Sequence, residues 1–415
     1  MGLRPLWMAA IRLKGRLVSL TAAVALLAGL AAAPSPAAAA VALPSFYKVP
    51  THIPSTPGTL IKSQKVSVSG VAATVYRVMY TSLTLQTKPV AVTGLVFVPK
   101  STPPAGGFPV VSWGHGTNGM ATQCAPSLTP SAGTVPEINA LLAQGWEVTA
   151  SDYQGEGTPG PLPYLVGDVA ARNTVDIVRA AQHLAAAHAG SDYVVWGHSE
   201  GGLTAMYSLH IAATYAPTLH LEGVVAGAPP SQFALIYTFL KTSPYRFYLF
   251  MAAVGFEKAY GAKAAPLAEV LTAKAMKLEP DLTKGCFTYL EKTIDHYSLV
   301  QLVKKNPFDV PAWKTLLEDN DPEYFTTAAP APLLIYQGGA DTQIPVVSTQ
   351  ILAQHLCSVG QDTERWIYPG MTHTAVITVA IGDIVHWVAD RFAGDANPDP
   401  YAPIGMPGVT VTTCG

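Results

Sequence analysis

The sequence predicts an α/β protein with one mainly parallel sheet, helices on both faces of that sheet and an inserted helical cap. Strand-like apolar runs alternate with helix-like segments from residue 108 onward, which favours parallel strands joined by helices. The alternation stops once, at residues 231–328, where helical segments follow one another without a clear strand. Apolar residues make up 49% of the 415-residue chain, enough for the core of one large domain.

Two β runs at the start of the chain are typical of an antiparallel hairpin; they cover residues 66–80 and 90–99. The segments that follow alternate between strand and helix: strand 108–113, helix 135–144, strand 146–151, helix 168–188, the strand ending at Gly197, helix 203–215 and strand 221–226. Loops 114–119, 152–157 and 197–202 all follow strands, so they should converge at one edge of the sheet.

The domain boundaries follow from the break in this alternation. The first part of the core is expected at residues 41–230, the cap or lid at 231–328, and the second part of the core at 329–395. The second part should contain strand 332–336, helix 347–356, strand 366–368 and helix 375–392. Residues 396–415, rich in proline and glycine, are expected to form a C-terminal tail.

The N-terminus has the three parts of a secretory signal peptide. Basic residues within 1–16 precede an apolar stretch at 17–30, and small residues lead up to Ala40. The apolar stretch is short and is followed by prolines, so a membrane anchor is the weaker interpretation. We expect residues 1–40 to be cleaved off before Val41 and the mature protein to be soluble and exported.

The charge of the chain excludes one large class of partner. Charged residues make up 13% of the sequence and the net charge is −2. No basic cluster follows Arg16. A protein that binds nucleic acid normally carries a basic patch, so nucleic acid is not expected as a partner.

The candidate catalytic motif is the stretch Gly197-His198-Ser199-Glu200-Gly201. It has the form G-x-S-x-G between a predicted strand and a predicted helix, which is the nucleophile elbow of α/β-hydrolases. Strand and helix come so close together at this turn that a β-carbon at either glycine would clash. An ordinary glycine-rich turn is the alternative, and the rest of the chain decides between the two.

A serine nucleophile needs a base, and the base needs an acid to orient it. Asp341 follows the strand at 332–336, and His373 follows the strand at 366–368. Both should lie at the same sheet edge as Ser199, in the chain order Ser, Asp, His of α/β-hydrolases. We expect Ser199 to attack an acyl carbonyl, His373 to take and return the proton, and Asp341 to hold the imidazole.

An oxyanion hole needs two donors about 3 Å from the developing negative oxygen. The backbone N–H of Glu200 is the first candidate, because it follows the nucleophile. The second should come from loop 114–119, where Thr117 and Asn118 are both candidates. We expect the Glu200 carboxylate to be turned away and hydrogen-bonded, because a free charge there would oppose the oxyanion. The His198 side chain should also point away from the hydroxyl.

The cysteines predict disulfides rather than a metal site. There is no C-x-x-C pair, so the sequence predicts neither a metal nor a cofactor. An even number of cysteines in an exported chain suggests two disulfides, with three ways of pairing them: the residues are Cys124, Cys286, Cys357 and Cys414.

Together these motifs resemble the secretory lipase family, the lipase A type of α/β-hydrolase known from yeasts and actinomycetes. The resemblance runs from about residue 43 to the C-terminus and rests on the elbow at Ser199, Cys124-Ala125-Pro126-Ser127, Ser151-Asp152, Asp341 before Ile344-Pro345, Tyr368-Pro369 before His373, and the remaining cysteines Cys286 and Cys414. It implies the triad given above, a helical lid over an acyl-binding pocket, and hydrolysis of acylglycerols or other carboxylic esters. It also implies the disulfides Cys124–Cys286 and Cys357–Cys414, and it places the second oxyanion residue at Asn118.

We therefore expect a secreted lipase or esterase, monomeric, that acts on an ester or lipid substrate, including substrate at a lipid–water interface. An acyltransferase or a peptidase would keep the same triad and change the acceptor or the bond that is attacked. A non-catalytic binding module on a hydrolase scaffold is the alternative from a different class. Such a module has no reason to keep Ser199, Asp341 and His373 together.

Overall fold

The computed structural model describes residues 43–394 and 403–414. The expected signal peptide, with its cleavage site between Ala40 and Val41, lies outside the described residues. Within the described part of the chain, no helix combines the length and the apolar composition needed to cross a bilayer.

The described residues form one sheet of ten strands. In chain order these are β1 (Leu60–Val66), β2 (Ala73–Leu83), β3 (Pro89–Pro99), β4 (Phe108–Gly114), β5 (Glu147–Ser151), β6 (Ala189–His198), β7 (His220–Gly227), β8 (Leu333–Gly338), β9 (Thr363–Tyr368) and β10 (Thr410–Cys414). Across the sheet the order is β1-β2-β3-β5-β4-β6-β7-β8-β9-β10. The run from β5 to β9 is parallel throughout, and β1, β2, β3 and β10 pair antiparallel at the two sides. The predicted mainly parallel sheet is confirmed.

Helices cover both faces of this sheet. They are α1 (Ile138–Ala143), α2 (Gly167–Gln182), α3 (Glu200–Tyr215), α4 (Phe233–Leu240), α5 (Phe247–Tyr260), α6 (Leu267–Val270), α7 (Ala273–Leu278), α8 (Phe287–Ile294), α9 (Leu299–Leu302), α10 (Pro311–Asp319), α11 (Val346–Ser358) and α12 (Ala375–Phe392). Successive residues of β6 point to opposite faces. Val195 packs with Val178 of α2 and Met206 of α3 on one face, and Trp196 packs with Ile384 of α12 on the other.

One early boundary differs from the expected one. The run 66–80 is not a single strand, because β1 ends at Val66 and β2 begins at Ala73. Gly70, between them, has a φ of 77°, a left-handed conformation that favours glycine and lets the chain reverse. The expected hairpin between β2 and β3 is present, and β1 adds a third antiparallel strand to it.

The C-terminal segment contributes a strand where the sequence predicts only a tail. β10 pairs antiparallel with β9, from Thr410 opposite Ile367 to Cys414 opposite Thr363. A disulfide joins Cys414 to Cys357 of α11. The run Thr-Val-Thr-Thr-Cys has too little apolar alternation to be recognised as a strand in the sequence.

Between β7 and β8 the chain forms only helices, from α4 to α10, apart from short 3₁₀ turns. These helices bury a large apolar cluster, in which Phe247 and Phe250 are fully buried. The core of this segment therefore accounts for much of its aromatic content. Its assignment as a lid stays a prediction.

Candidate active site

Ser199 lies at a sharp turn between β6 and α3. Its φ of 61° and ψ of −122° are a conformation that residues other than glycine rarely adopt. A β-carbon on Gly197 would overlap the carbonyl oxygen of Gly201, and one on Gly201 would overlap the carbonyl oxygen of Gly114. Ser199 is partly exposed, although the residues on either side of it are buried. The strained turn therefore leaves this serine accessible at the carboxyl edge of the sheet.

Asp341 and His373, after β8 and β9, form a buried pair. Nδ1 of His373 lies 2.7 Å from Oδ2 of Asp341. Oδ1 of Asp341 accepts hydrogen bonds from the N–H groups of Gln343 and Ile344, at 2.8 and 2.9 Å. Burial acts to raise the pKa of Asp341, but the hydrogen bond and charge of His373 and the two backbone N–H groups outweigh it and hold that pKa below its usual value. Asp341 is thus ionised and fixes the orientation of the imidazole.

The second ring nitrogen of His373 is available for chemistry. Nε2 is buried and has no hydrogen-bond partner among the described residues. The ring of His198, the residue before Ser199, lies 4.7 Å from the ring of His373 between centroids. The imidazole of His373 therefore contacts Asp341 on one side and lies close to His198, the neighbour of Ser199, on the other.

His198 is an imidazole at the site for which the sequence suggests no function. Its Nδ1 lies 3.2 Å from the hydroxyl oxygen of Tyr336. Burial, followed by repulsion from the charge of His373, lowers the pKa of His198 to about 3. His198 is therefore uncharged near neutral pH, so it packs against His373 without competing for its proton.

The loop after β4 passes beside Ser199. A β-carbon on Gly116 would lie 3.6 Å from Cβ of Ser199, so the backbone of this loop comes close to the nucleophile. In residues 43–394 and 403–414, the main-chain N–H groups of Thr117, Asn118 and Glu200 donate to no other group. Free N–H groups beside a nucleophile are what an oxyanion hole requires. Thr117 and Asn118 both remain candidates for the second donor.

Two buried glutamates flank this loop. Glu200 is 5% exposed and Glu156 is 1% exposed. Oγ1 of Thr117 lies 2.8 Å from the hydroxyl oxygen of Tyr164, and Nδ2 of Asn118 lies 3.0 Å from Nδ1 of His115. Burial raises the pKa of Glu200 to about 8. Burial, with the charge of Glu200, raises the pKa of Glu156 well above its usual range. The shifts favour the protonated form of both carboxyl groups.

These two acids are only partly foreseeable from the sequence. The sequence predicts a hydrogen-bonded carboxylate at Glu200, whereas burial raises the pKa of this group to about 8 and favours the neutral acid. Glu156 was not singled out, although it lies in loop 152–157 at the same sheet edge. Its signal in the sequence is an acid in a loop after a strand, with no lysine or arginine nearby in the chain to pair with it.

A disulfide joins this region to the helical segment. It links Cys124 to Cys286, the residue before α8, and this is the pair that the resemblance implies. Next to it, the N–H of Phe287 donates to the carbonyl oxygen of Asn118 at 2.7 Å. The loop beside Ser199 is therefore tied to the helices both covalently and by a backbone hydrogen bond.

An apolar cavity of about 90 Å³ lies among the helices between β7 and β8. Two of its lining residues, Tyr248 and Leu165, lie near residues of the site. Tyr248 donates a hydrogen bond to Gln343, two residues after Asp341, at 3.0 Å. Leu165 follows Tyr164, whose hydroxyl oxygen lies 2.8 Å from Oγ1 of Thr117. The other lining residues include Phe233, Ile236, Phe256, Val270, Trp313 and Leu317.

One further group of side chains has the composition of a metal site. Ligand atoms of Asp192, His220 and Glu222 all lie within 4.8 Å of one another on the surface. Asp192 and His220 are exposed, and His220 Nδ1 lies 2.9 Å from Asp192 Oδ1. Exposed groups of this kind are common without an ion, so we assign no metal to them.

Comparison with known proteins gives consistent matches. The family model for secretory lipases matches residues 132–399, more than half of the chain. A secreted triacylglycerol lipase of Malassezia globosa is 23% identical over 368 residues, which cover 81% of this chain and 78% of that protein. A Mycobacterium tuberculosis protein named "probable inactive lipase" is 22% identical over 374 residues, which cover 85% of this chain and 82% of that protein. The crystal structure of Candida antarctica lipase A in its closed state superposes with a TM-score of 0.74 at 20% identity, covering 88% of this chain and 89% of that chain.

Proposed function

Because the chain belongs to the secretory lipase family, we propose that it hydrolyses carboxylic esters through a catalytic triad of Ser199, His373 and Asp341. The fold is that of the α/β-hydrolases. The family and the relatives indicate that the protein is an ester hydrolase. One observation carries the assignment of the triad: His373 is held by Asp341 at 2.7 Å, beside the only partly exposed residue of a strained elbow.

The proposed reaction has two halves. Oγ of Ser199 attacks the ester carbonyl carbon while Nε2 of His373 takes its proton, and His373 then gives that proton to the departing alcohol oxygen. This leaves the acyl group esterified to Ser199. Water then attacks the acyl carbon, His373 takes the water proton and returns it to Ser199, and the carboxylic acid leaves.

The negative oxygen that forms in each half needs donors that are already in place. The free backbone N–H of Glu200, at the N-terminus of α3, is the first of these, and the positive end of the helix dipole adds to it. The free backbone N–H of Thr117 or of Asn118 supplies the second. Gly116 permits the close approach, because its backbone lies next to Ser199.

The apolar cavity supports an acyl-binding role. It is lined mainly by aliphatic and aromatic side chains. Tyr248, in its lining, donates a hydrogen bond to Gln343, and Leu165 follows Tyr164, whose hydroxyl lies next to Thr117. Each methylene of an acyl chain buried there contributes about 0.8 kcal/mol. We therefore propose acylglycerols and related esters as substrates, with the acyl chain lying in the cavity.

Filling this cavity should change the acyl-chain preference without abolishing hydrolysis. Ala253 of α5 lines the cavity, so Ala253→Phe should lower kcat/KM for p-nitrophenyl dodecanoate by about 200-fold, since about four methylenes lose their burial. The value for the acetate should stay within about threefold, because its acyl group does not reach the cavity. A series of p-nitrophenyl esters and a triglyceride emulsion measure the preference.

The matched control is Ala234→Phe, which adds the same ring to an exposed position on α4. It should leave the whole chain-length series unchanged. Equal losses for acetate and dodecanoate in Ala253→Phe would place the acyl group outside this cavity.

Removing the disulfide beside the oxyanion loop should reduce turnover as well as stability. The double variant Cys124→Ser/Cys286→Ser should lower kcat about tenfold, because the loop loses its covalent tie to α8. It should also cost about 2–5 kcal/mol of unfolding free energy. The control, Cys357→Ser/Cys414→Ser, removes a disulfide at the sheet edge and should cost stability while leaving kcat unchanged. Identical kcat values for the two variants would contradict a positioning role for the first disulfide.

A non-catalytic function is the alternative, and the relative named "probable inactive lipase" is the observation that favours it. In this chain, however, Ser199, His373 and Asp341 are all present, and the distance of 2.7 Å between His373 and Asp341 supports catalysis.

We also propose that the protein is exported, which fits two disulfides formed in an oxidising compartment. N-terminal sequencing of the secreted protein should then begin at Val41, and a sequence beginning within residues 1–40 would move the cleavage site.

A further inference from the structure

His198 is the last residue of β6, directly before Ser199, and its ring is buried at the end of the sheet. In the register of the sheet it lies opposite Gly227, the last residue of the neighbouring strand β7. A β-carbon on Gly227 would overlap Nδ1 of His198 and the ring of Tyr336 on β8. The space for the His198 ring therefore depends on a glycine at this place in β7.

Hydrogen bonds determine which nitrogen of this ring carries the proton. The indole N–H of Trp196 donates to the hydroxyl oxygen of Tyr336 at 3.3 Å, and an indole can only donate. The hydrogen of the Tyr336 hydroxyl is thus left for Nδ1 of His198, which lies 3.2 Å away. Nδ1 accepts this bond, so the neutral ring has its proton on Nε2. Because burial lowers the pKa of His198 to about 3, the ring is in this neutral form near neutral pH.

The ring of His198 packs against the ring of His373. Their centroids are 4.7 Å apart and their planes are inclined by 57°. Aromatic pairs at such distances contribute about 0.5–1.5 kcal/mol beyond the area that they bury. Nδ1 of His373 is hydrogen-bonded to Asp341, whereas Nε2 has no partner among the described residues. A single hydrogen bond leaves an imidazole able to tilt about the bonded atom, and a ring packed against it restricts that tilt.

We propose that His198 is a positioning residue for ester hydrolysis: its ring, held by Tyr336, keeps the imidazole of His373 aligned for proton transfer with Ser199. A displacement of about 1 Å in a reacting group can cost about 100-fold in rate. An uncharged ring suits this position, because His373 becomes positively charged during the reaction and a second positive charge beside it would oppose that step. The inference rests on the proposed function, because it concerns the same reaction.

Truncation of the His198 ring should lower turnover without weakening substrate binding. His198→Ala should reduce kcat for p-nitrophenyl butyrate about 30-fold and leave KM within about twofold, because the ring acts on His373 rather than on the substrate. His198→Phe restores an aromatic ring and should recover kcat to within about threefold of the wild type. A His198→Ala enzyme with wild-type kcat, or a His198→Phe enzyme as slow as His198→Ala, would overturn the inference.

The hydrogen bond from Tyr336 is tested by a double-mutant cycle. Tyr336→Phe keeps the aromatic ring but removes the hydroxyl, so His198 should lose its fixed orientation and kcat should fall about fivefold. The same change made in His198→Phe should leave kcat unaltered, since no ring nitrogen remains for the hydroxyl to bind. Equal falls in the two backgrounds would overturn the proposal that Tyr336 acts through His198.

His355→Ala is the matched control. His355 is a partly buried histidine near the C-terminal end of α11, and its Nε2 lies 2.7 Å from the carbonyl oxygen of Phe325. This variant should cost stability and leave kcat and KM unchanged. A loss of kcat as large as that of His198→Ala would mean that removing any packed histidine slows the enzyme, and would overturn the positioning role.

Proton NMR gives a readout that does not depend on turnover. The proton on Nδ1 of His373, hydrogen-bonded to the carboxylate of Asp341, should give a resonance far downfield. His198→Ala should shift or broaden this resonance, whereas His198→Phe and His355→Ala should leave it at its wild-type position. An unchanged resonance in His198→Ala would overturn the inference. A wild type that shows these NMR differences but cleaves no ester at pH 7 would instead contradict the proposed function.

Discussion

Replacing Ser199 with alanine is expected to lower kcat for p-nitrophenyl butyrate by about a million-fold, the largest effect of any single substitution in this protein. The change removes one oxygen atom, and alanine can occupy the same backbone conformation at the same strain, so the elbow should keep its shape. His373 would then have no hydroxyl to deprotonate. Residual turnover above the uncatalysed rate should come from the oxyanion donors and substrate binding alone.

The control is Ser208→Ala. Ser208 is a buried serine on the same helix, and its hydroxyl donates to the carbonyl oxygen of Thr204, away from the site. The Ser208→Ala variant should retain the kcat of the wild type. A fluorophosphonate should label the wild type and Ser208→Ala but not Ser199→Ala. Labelling of Ser199→Ala, or activity above about one per cent of wild type, would place the nucleophile elsewhere.

Asp341→Asn should lower kcat by about ten-thousand-fold, and the structure indicates why. The backbone N–H groups of Gln343 and Ile344 donate to Oδ1, so the oxygen of an asparagine would remain on that side. Its NH₂ group would then face Nδ1 of His373, where the carboxylate now accepts a hydrogen bond with an N···O distance of 2.7 Å. Nδ1 would have to accept a hydrogen bond, which puts the imidazole proton on Nε2. The tautomer that results cannot take a proton from Ser199.

Asp321→Asn is the matched control for this change. Asp321 is also buried and also accepts backbone N–H groups, from Gln232 and Phe233, but it bonds to no histidine. The control should cost stability and leave kcat unchanged. If both variants lost activity equally while remaining folded by circular dichroism, the effect could not be assigned to the tautomer of His373.

The positions of the three candidate residues can be predicted from the sequence because each element there has a strong local signal. Ser199 is flanked by glycines, and Asp341 and His373 each follow a buried strand that is easy to recognise. Parallel strands then place these three positions at one edge, although they are far apart in the chain. The alternation of strands and helices supplies the order of the elements without any knowledge of their contacts.

The parts that the sequence misses depend on contacts between distant residues. The charge of Glu200 raises the pKa of Glu156 because the segments after β5 and β6 lie close together. No local sequence pattern predicts this proximity. The raised pKa of Glu200 is caused by burial, and the burial of a polar residue next to Ser199 cannot be predicted from the local sequence. β10 becomes a strand because β9 offers an edge and a disulfide holds it there, not because of its own composition.

The two outer strands also bear on how the protein behaves at high concentration. An uncovered strand edge can pair with another chain and start aggregation. At one side of the sheet, β1 carries the lysines Lys62 and Lys65, and charge on an edge strand opposes such pairing. At the other side, β9 is covered by the short β10, which Cys357 retains even when its backbone pairing opens. A reducing environment would release that cover, so an oxidising environment that preserves the disulfide also keeps this edge from joining a neighbouring molecule.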